Sequence, residues 1–264
     1  VLVAVSRGSV WGWGAPITIG TAVSGIAILA VWVRYQMRTR DPLLDLRVAA
    51  RRPVMLTNLT SLALGFGLFA SNVIYPQILA LPAAGGVGLG LSLFAASVAV
   101  MPSGLVILLL SPVCGRLAAR WGPKPLMIVG AAAILAAYVF SLAWHDEVWQ
   151  IIVANVLVGV GIAFSFSATP LLILRSVRQE ETGALNGLNA LHRSVGTTMA
   201  SAVVGVVLAA FTVPGMSDHP SAEGFQIAFG IAAAGAAFAT VIALFLPSRP
   251  SAPDAHPALP TVAG

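Results

Sequence analysis

Two long apolar runs without a charged residue lie on either side of a short basic stretch. The runs cover residues 91–113 and 125–144, and the basic stretch between them is Gly115 to Lys124. A bilayer core of about 30 Å requires roughly 20 apolar residues in a helix, and each run is about that long. The pattern therefore predicts two membrane-spanning helices that are joined by a tight turn.

The composition of the whole chain excludes an ordinary soluble domain. Hydrophobic residues make up 58% of the chain and charged residues 9%, whereas a soluble domain carries about 25% charged residues. The net charge of +5 could suggest a nucleic-acid partner. However, the cations cluster beside apolar runs, where membrane topology explains them. The sequence therefore predicts an all-α integral membrane protein that lies in a lipid bilayer and binds no nucleic acid.

Similar apolar runs recur along the chain and predict seven membrane-spanning helices. They cover about residues 17–33, 54–75, 91–112, 125–144, 148–174, 184–211 and 225–246. Residues 1–52 then hold an extracellular N-terminal segment, the first span and a polar cytoplasmic loop, and residues 53–246 hold the other six spans. Residues 247–264 are rich in Pro, Ala and Ser, and we predict a disordered cytoplasmic tail there.

The basic residues divide very unequally between the two predicted sides. Arg7 is the only one of the fourteen on its side. The others are Arg34, Arg38, Arg40, Arg47, Arg51, Arg52, Arg116, Arg120, Lys124, Arg175, Arg178, Arg193 and Arg249. Because Lys and Arg concentrate in cytoplasmic loops, the C-terminus is predicted to be cytoplasmic. In this assignment Arg193 lies at the cytoplasmic end of the sixth span, and its side chain reaches the interface.

All nine carboxylates fall outside the predicted spans. They are Asp41, Asp45, Asp146, Glu147, Glu180, Glu181, Asp218, Glu223 and Asp254. Acids within a span are the usual proton carriers, since burial moves their pKa. If the protein is proton-coupled, we expect the coupling acid outside this chain. The alternative is that an acid at the edge of a loop, such as Asp146 or Glu180, extends into a substrate cavity between the helices.

Polar residues inside the second span form one helical face. Asn58, Ser61, Gly65 and Asn72 share this face, and Gln77 lies just beyond the span. Buried amides are costly without hydrogen-bond partners, so we expect the face to contact protein or a watery cavity. Two interpretations stay open, namely lining of a substrate cavity and hydrogen bonding between helices.

The fifth span carries a similar polar position. Asn155 is a further cavity candidate, although the neighbouring Gly159 and Gly161 favour helix packing there. Four phenylalanines on these two spans could form an aromatic wall for a lipophilic substrate or could face lipid. They are Phe66, Phe69, Phe164 and Phe166.

The sequence contains no pattern that is typical of an enzyme. There is no nucleophile–base pairing, metal-ligand cluster or phosphate-binding loop, and the four histidines fall on both predicted sides of the membrane. The only lysine, Lys124, lies in a predicted loop, which excludes a retinal Schiff base inside the bundle. We therefore predict no enzyme activity, no cofactor and no metal.

Five short motifs occur in one order along the chain. They are Gly12 to Gly14, Asp41 to Arg47, Met101-Pro102, Gly115 to Lys124, and Gly183 to Gly196. Together they resemble the major facilitator superfamily, and within it the fourteen-span drug:proton antiporters of the EmrB/QacA type. The resemblance covers nearly the whole chain.

The resemblance implies the C-terminal half of a transporter. The first span would be a linker helix, and residues 53–246 would form the C-terminal six-helix bundle, built as two inverted repeats of three helices. The implied function is export of small amphipathic compounds or drugs in exchange for protons, by alternating access. The implied partners are such a substrate, protons and an N-terminal half. The implied location is the plasma membrane, and the Arg-rich, Lys-poor composition is typical of a bacterium.

The basic stretch departs from the family's loop motif at one position. Gly115, Arg120, Gly122 and Lys124 match the motif, but Ala119 stands where the family carries an acid. Because alanine cannot form the ion pair that latches one conformation, we expect a role in topology and a tight turn. The alternative functions are a non-transporting seven-helix membrane protein and an inactive transporter fragment.

Overall fold

The computed structural model describes residues 12, 14–39, 46–82, 88–213 and 216–247. Within them, seven helices are long and apolar enough to cross a membrane. This confirms the predicted all-α membrane fold and the predicted number of spans. The predictions for residues 1–11, the acidic motif at 41–45 and nearly all of the tail fall outside the described residues.

The seven long helices match the predicted spans in order. They are α1 (Pro16–Arg38), α3 (Arg52–Ala80), α4 (Leu93–Trp121), α5 (Pro123–Ala143), α6 (Val148–Leu174), α7 (Thr182–Ala210) and α8 (Ala222–Leu244). The short helix α2 (Leu46–Ala49) precedes α3, and a 3₁₀ turn (Gln179–Glu181) precedes α7. An antiparallel pair of strands, β1 (Thr212–Val213) and β2 (Met216–Pro220), connects α7 to α8.

Local sequence signals begin several of these helices. Prolines occupy the first turn of α1, α3 and α5, where a missing backbone N–H costs no helical hydrogen bond. The Ser92 side chain accepts a hydrogen bond from the first turn of α4, and Ser221 does the same for α8. Such N-caps satisfy backbone donors that the helix leaves free.

The turn between α4 and α5 is shorter than the sequence analysis predicts. Helix α4 continues through Gly115 to Trp121, and α5 begins at Pro123, so Gly122 alone separates the two helices. Gly122 has a φ of +86°, in a region that favours glycine because it has no Cβ. The basic stretch is therefore mostly helical, and Arg120 lies exposed on the last turn of α4.

The long helices differ sharply in how much of their surface is buried. In the most apolar part of each helix, 61% of the residues of α3 and 56% of those of α6 are buried, against 11% for α4 and 6% for α1. In the most apolar part of the segment that ends with α7, 22% of the residues are buried. Helix α3 packs against α7 and α8, and α6 packs against α4 and α5. The core therefore lies between α3, α5, α6 and α8, whereas α4 is largely exposed and few residues of α7 are fully buried.

Close packing and interhelical hydrogen bonds hold this core. A Cβ added at Gly161 of α6 would lie 2.6 Å from the carbonyl oxygen of Gly130 on α5, so neither glycine leaves room for a side chain. The buried Tyr75 and Ser141 hydroxyls are 3.1 Å apart and join α3 to α5. Lipid is as apolar as a leucine side chain, so such contacts rather than the hydrophobic effect associate helices in a bilayer.

One end of the bundle gathers basic residues. A cavity of about 420 Å³ lies where the start of α3, the α4–α5 turn and the ends of α6 and α8 meet, and Lys124 and Arg175 line it. We call this the basic end of the bundle. The strands β1 and β2 lie at the opposite end.

Candidate functional site

Asn58 and Ser61 both take part in a buried contact between α3 and α7. The side-chain amide of Asn189 on α7 donates hydrogen bonds to Asn58 Oδ1 at 3.0 Å and to Ser61 Oγ at 2.8 Å. All three residues are buried. For Asn58 and Ser61, this geometry favours hydrogen bonding between helices over lining of a cavity.

Two glycines allow the backbones of α3 and α7 to approach closely around these bonds. A Cβ at Gly196 of α7 would overlap the carbonyl oxygen of Leu62 on α3, and a Cβ at Gly65 of α3 would overlap that of Arg193 on α7. Small residues at a helix contact are the usual way in which membrane helices pack at short range. The contact is therefore built from glycines and short polar side chains.

The sequence analysis included Asn189 in a motif but did not identify it as a contact residue. The signal that could have found it is the spacing of small and polar residues along α7. The buried residues of α7 are Leu185, Asn189, Gly196, Ala200, Val204 and Leu208. They recur every three to four residues or at twice that interval, which places them on one helical face.

Arg193 lies on α7, and the run that follows it to Ala210 contains no charged residue, so its place at the end of the apolar span stays a prediction. At 1.5 Å per residue it is about 17 Å from Thr182 and about 26 Å from Ala210. The run from Arg193 to Ala210 is therefore close to the length that a bilayer core of about 30 Å requires. The guanidinium carbon lies 4.8 Å from the centroid of the Phe166 ring on α6.

No ion pair joins Arg193 to an acid in the described part of the chain. Its side chain is half-buried, while Phe166 is 36% exposed. A cation over an aromatic face is stabilised by the ring's quadrupole, which does not neutralise the charge. Arg193 therefore keeps its positive charge beside Phe166, with no acidic partner among the described residues.

The structure brings Asn72 and Asn155 to one opening between α3, α4 and α6. This opening has a volume of about 280 Å³ and is also lined by Ser103. The Asn155 amide donates to the Val100 carbonyl at 3.1 Å and to Ser103 Oγ at 3.2 Å, both on α4. The Asn72 amide is exposed and donates only within α3, to the Leu68 carbonyl at 3.1 Å.

Gln77 lies apart from the other candidates. It is an exposed residue of α3 rather than a loop residue beyond the span. It lines a separate opening of about 340 Å³ with Leu208 and Thr212 at the end opposite the basic end. The five cavity candidates thus fall at three separate places in the bundle.

Three of the four phenylalanines have different neighbours. Phe166 lies beneath Arg193, whereas Phe66 packs against Gly235 of α8. Phe164 is partly buried against the core.

The motif residues of the basic stretch separate into two groups. Gly122 and Lys124 line the cavity at the basic end, and a Cβ at Gly122 would lie 3.3 Å from a guanidinium nitrogen of Arg175. Gly115 and Arg120 lie on exposed positions of α4. Within the described residues, no three of the His, Cys, Asp and Glu side chains come close enough to hold a metal ion.

A family model described as the Major Facilitator Superfamily matches residues 2–199 and, in a second match, residues 88–261. The Multidrug resistance protein B homolog of Mycobacterium tuberculosis (strain ATCC 25618 / H37Rv) is 27% identical over 192 residues, which cover 71% of this chain and 34% of that protein. The Tetracycline resistance determinant of Streptomyces rimosus is 27% identical over 222 residues, which cover 83% of this chain and 62% of that protein.

A third relative is the Lincomycin resistance protein LmrB of Bacillus subtilis (strain 168). It is 25% identical over 199 residues, which cover 73% of this chain and 40% of that protein. The chain therefore spans only part of the length of the curated relatives that it matches.

Proposed function

Because the chain belongs to the major facilitator superfamily, we propose that it forms the C-terminal half of a transporter that exports small amphipathic compounds. The observation that carries this proposal is the similarity to proteins named for multidrug, tetracycline and lincomycin resistance over 71–83% of the chain. Those proteins are longer than this chain, so the complete activity requires residues beyond it.

The uneven burial of the helices supports this assignment. Helices α4 and α7 are long and apolar, yet they bury few residues within the described bundle. Transporters of this superfamily place two halves face to face around a substrate site near the bilayer midplane. An N-terminal half packed against α4 and α7 would cover their exposed surfaces and close the cavity between the halves.

Asn72 and Asn155 are the candidates that we assign to this cavity. Their opening between α3, α4 and α6 combines polar side chains with the apolar Val100 and Met101. Sites that bind small molecules commonly join an apolar lining to a few polar groups. An amphipathic compound would find both kinds of contact there.

We propose that protons drive the export and that the carboxylate that carries them belongs to the N-terminal half. Among the described residues, Glu223 in the first turn of α8 is the only acid inside a long helix, and it is exposed. An acid within the bilayer titrates in the range that coupling requires because burial shifts its pKa.

The distribution of arginines further suggests a plasma-membrane orientation with the basic end in the cytoplasm. The test is a fusion of a periplasmic or a cytoplasmic reporter enzyme after Gly264. The cytoplasmic reporter should be active and the periplasmic one silent. The reverse result would overturn the orientation but would leave the transport proposal standing.

The decisive experiment begins with the reading frame upstream of Val1, which we expect to encode further spans with an acid inside one of them. The complete protein, purified and reconstituted in liposomes, should then transport tetracycline, lincomycin or ethidium when a pH gradient is imposed. Protein-free liposomes and a protonophore are the controls. Absence of gradient-driven transport for all three probes would reject the proposal.

A further inference from the structure

The cavity at the basic end of the bundle is formed by the ends of five long helices. Its lining comes from the starts of α3 and α5, the end of α4 and the residues that close α6 and α8. Its volume of about 420 Å³ is within the range of about 300–1,000 Å³ that is typical of ligand pockets. Because helices of this length and hydropathy end near the boundary of the hydrocarbon core, the cavity lies at the level of the lipid headgroups.

Two cations from different helices meet in this cavity. Lys124 belongs to the first turn of α5, and Arg175 directly follows α6. A Cβ at Gly122 would lie 3.3 Å from a guanidinium nitrogen of Arg175, so that side chain reaches the α4–α5 turn, two residues before Lys124. The described residues that line the cavity include no acid. Like charges repel, and the positive end of the α5 dipole adds to them, so a bound anion would stabilise this end of the bundle.

The rest of the lining is largely apolar and continues to the outer surface of the bundle. Val129 and Trp121 line the cavity and are 48% and 63% exposed. Leu172 and Leu246 lie on the inner side. Tryptophan side chains settle at the membrane interface, where one part of the ring system is wet and the other apolar. A ligand with an anionic head and apolar chains would therefore contact both kinds of surface, whereas a free phosphate ion would leave the apolar part uncovered.

We propose that this cavity binds the headgroup of an anionic phospholipid, with its phosphate on Lys124 and Arg175 and its acyl chains along Val129 and Trp121. A guanidinium donates two parallel hydrogen bonds to a phosphate, and an ammonium binds it as a point charge. Basic pockets between membrane helices are known to hold such headgroups. The lipid would join the α4–α5 turn to the end of α6, and its binding requires the folded bundle but no transport.

Two segments of the chain itself match the charge of the cavity less well. The tail at 248–264 carries one arginine and one acid, so it offers no excess of negative charge. Residues 34–52 contain Asp41 and Asp45 but six arginines. Charge complementarity therefore favours a lipid anion over either segment.

The test measures lipid binding to the complete protein, purified in a neutral detergent, by native mass spectrometry. The probes are dioleoylphosphatidylglycerol, which is anionic, and dioleoylphosphatidylcholine, which is zwitterionic. We expect the anionic lipid to bind roughly 10- to 30-fold more tightly, as two cations near a headgroup predict. Millimolar inorganic phosphate should not displace it. Displacement by phosphate, or equal affinity for the two lipids, would overturn the proposal.

The double variant Lys124→Gln/Arg175→Gln should lose this preference for the anionic lipid. Arg116→Gln/Arg178→Gln is the matched control, since it removes the same charge from exposed positions that do not line the cavity. It should bind both lipids as the wild type does. Lys124→Arg/Arg175→Lys exchanges the two cations and should keep most of the preference. An equal loss in the two glutamine variants would mean that the lipid responds only to overall charge, and this would contradict a site.

A third variant tests the cavity rather than its charge. Val129→Trp keeps both cations and places a larger side chain in the opening, at a position exposed enough to accept it. It should weaken binding of the anionic lipid several-fold and leave the unfolding of the protein by denaturant unchanged. Unchanged lipid binding in a folded Val129→Trp variant would overturn the proposal.

Deletion of residues 248–264 and the double variant Asp41→Asn/Asp45→Asn test the competing segments. Neither change should alter the affinity for dioleoylphosphatidylglycerol by more than about twofold, because neither segment carries the negative charge that the cavity attracts. A tenfold rise in affinity in either variant would show that the chain itself occupies the cavity, and the lipid proposal would fail.

Discussion

Asn189 and Arg193 lie one helical turn apart on α7, and both are placed against α3, yet their surroundings differ completely. The Asn189 amide donates two hydrogen bonds to α3 and is 2% exposed. Arg193 is half-buried, stacks on Phe166 and has no acidic partner in the described part of the chain. The hydrogen bonds of the first residue lie within this chain, whereas no described residue supplies an acid for the second.

This difference shows that polar residues inside a membrane protein can be classified by the kind of partner that they need. An amide needs only another amide or a hydroxyl, and neighbouring helices of one bundle supply both. A guanidinium is stabilised by a carboxylate partner or by hydration, and among the described residues the only acid inside a long helix is Glu223, in the first turn of α8. We therefore expect substitutions at 189 to lower the stability more than substitutions at 193.

The largest expected effect comes from separating α3 and α7, which breaks both sites at once. Gly196→Ala places a Cβ against the Leu62 carbonyl oxygen, so one backbone must shift. We expect a loss of about 2–3 kcal/mol in the free energy of unfolding, in the range of overpacked cores. Unfolding by denaturant in detergent micelles measures it.

Gly205→Ala is the matched control on the same helix, because nothing lies within 4 Å of a Cβ at that position. It should not destabilise the protein, since alanine has the higher helix propensity. Equal stability of the two variants would mean that α3 and α7 are not in close contact.

The next largest effect on stability is expected from removing the Asn189 hydrogen bonds alone. Asn189→Ala deletes two interhelical hydrogen bonds, and such bonds average about 0.6 kcal/mol each in membrane proteins, so we expect a loss of about 1–2 kcal/mol. Asn186→Ala is the control, because the Asn186 amide donates only within α7, to the Thr182 carbonyl. If both variants unfold at the same denaturant concentration, Asn189 does not hold the two helices together.

The opening between α3, α4 and α6 also contains one amide that bonds to another helix and one that bonds only within its own helix, and we expect smaller losses of stability there. Asn155→Ala removes the part-buried bonds to Val100 and Ser103 on α4 and should cost about 1 kcal/mol. Asn72→Ala should cost less, since its amide bonds only within α3. The same denaturation assay ranks the two variants. A larger loss at 72 than at 155 would contradict the assignment of Asn155 as the residue that joins the helices.

The smallest effect on stability is expected from a substitution of Arg193. Arg193→Met removes a charge with no acidic partner in the described chain and keeps a long apolar side chain. The lost contact with Phe166 is worth roughly 0.5–1 kcal/mol, and removal of a charge from the bilayer offsets it. The stability of this chain alone should therefore stay within about 0.5 kcal/mol of the wild type. A loss as large as that of Asn189→Ala would erase the distinction between the two sites.

The spans were the most predictable part of this protein. The prediction for α6 ran from residue 148 to 174, as the helix does, because a short acidic loop and a charged loop mark its ends. The helices on either side of the basic stretch were also predicted, but the turn between them was predicted too long. The cations there suggested a loop, whereas α4 continues past them and only Gly122 breaks the helix.

The candidate residues were less predictable, because a helical face does not reveal which neighbour it meets. Asn58, Ser61 and Asn72 share one face of α3 in the sequence. The first two meet Asn189, while Asn72 lies at an opening near Asn155. Arg193 was counted with the loop cations because the alternation of basic loops accounted for it. Its contact with Phe166 on α6 became clear only from the structure.

The sequence by itself determined that this chain is an all-α membrane protein with seven spans and motifs of the major facilitator superfamily. It could do so because a bilayer imposes on each span a length and a hydrophobicity that are local properties of the chain. Only the tertiary structure decided which polar residues meet, since that depends on contacts between different helices. It joined Asn189 to Asn58 and Ser61, more than a hundred residues away, and it placed Arg193 beside Phe166 with no acidic partner among the described residues.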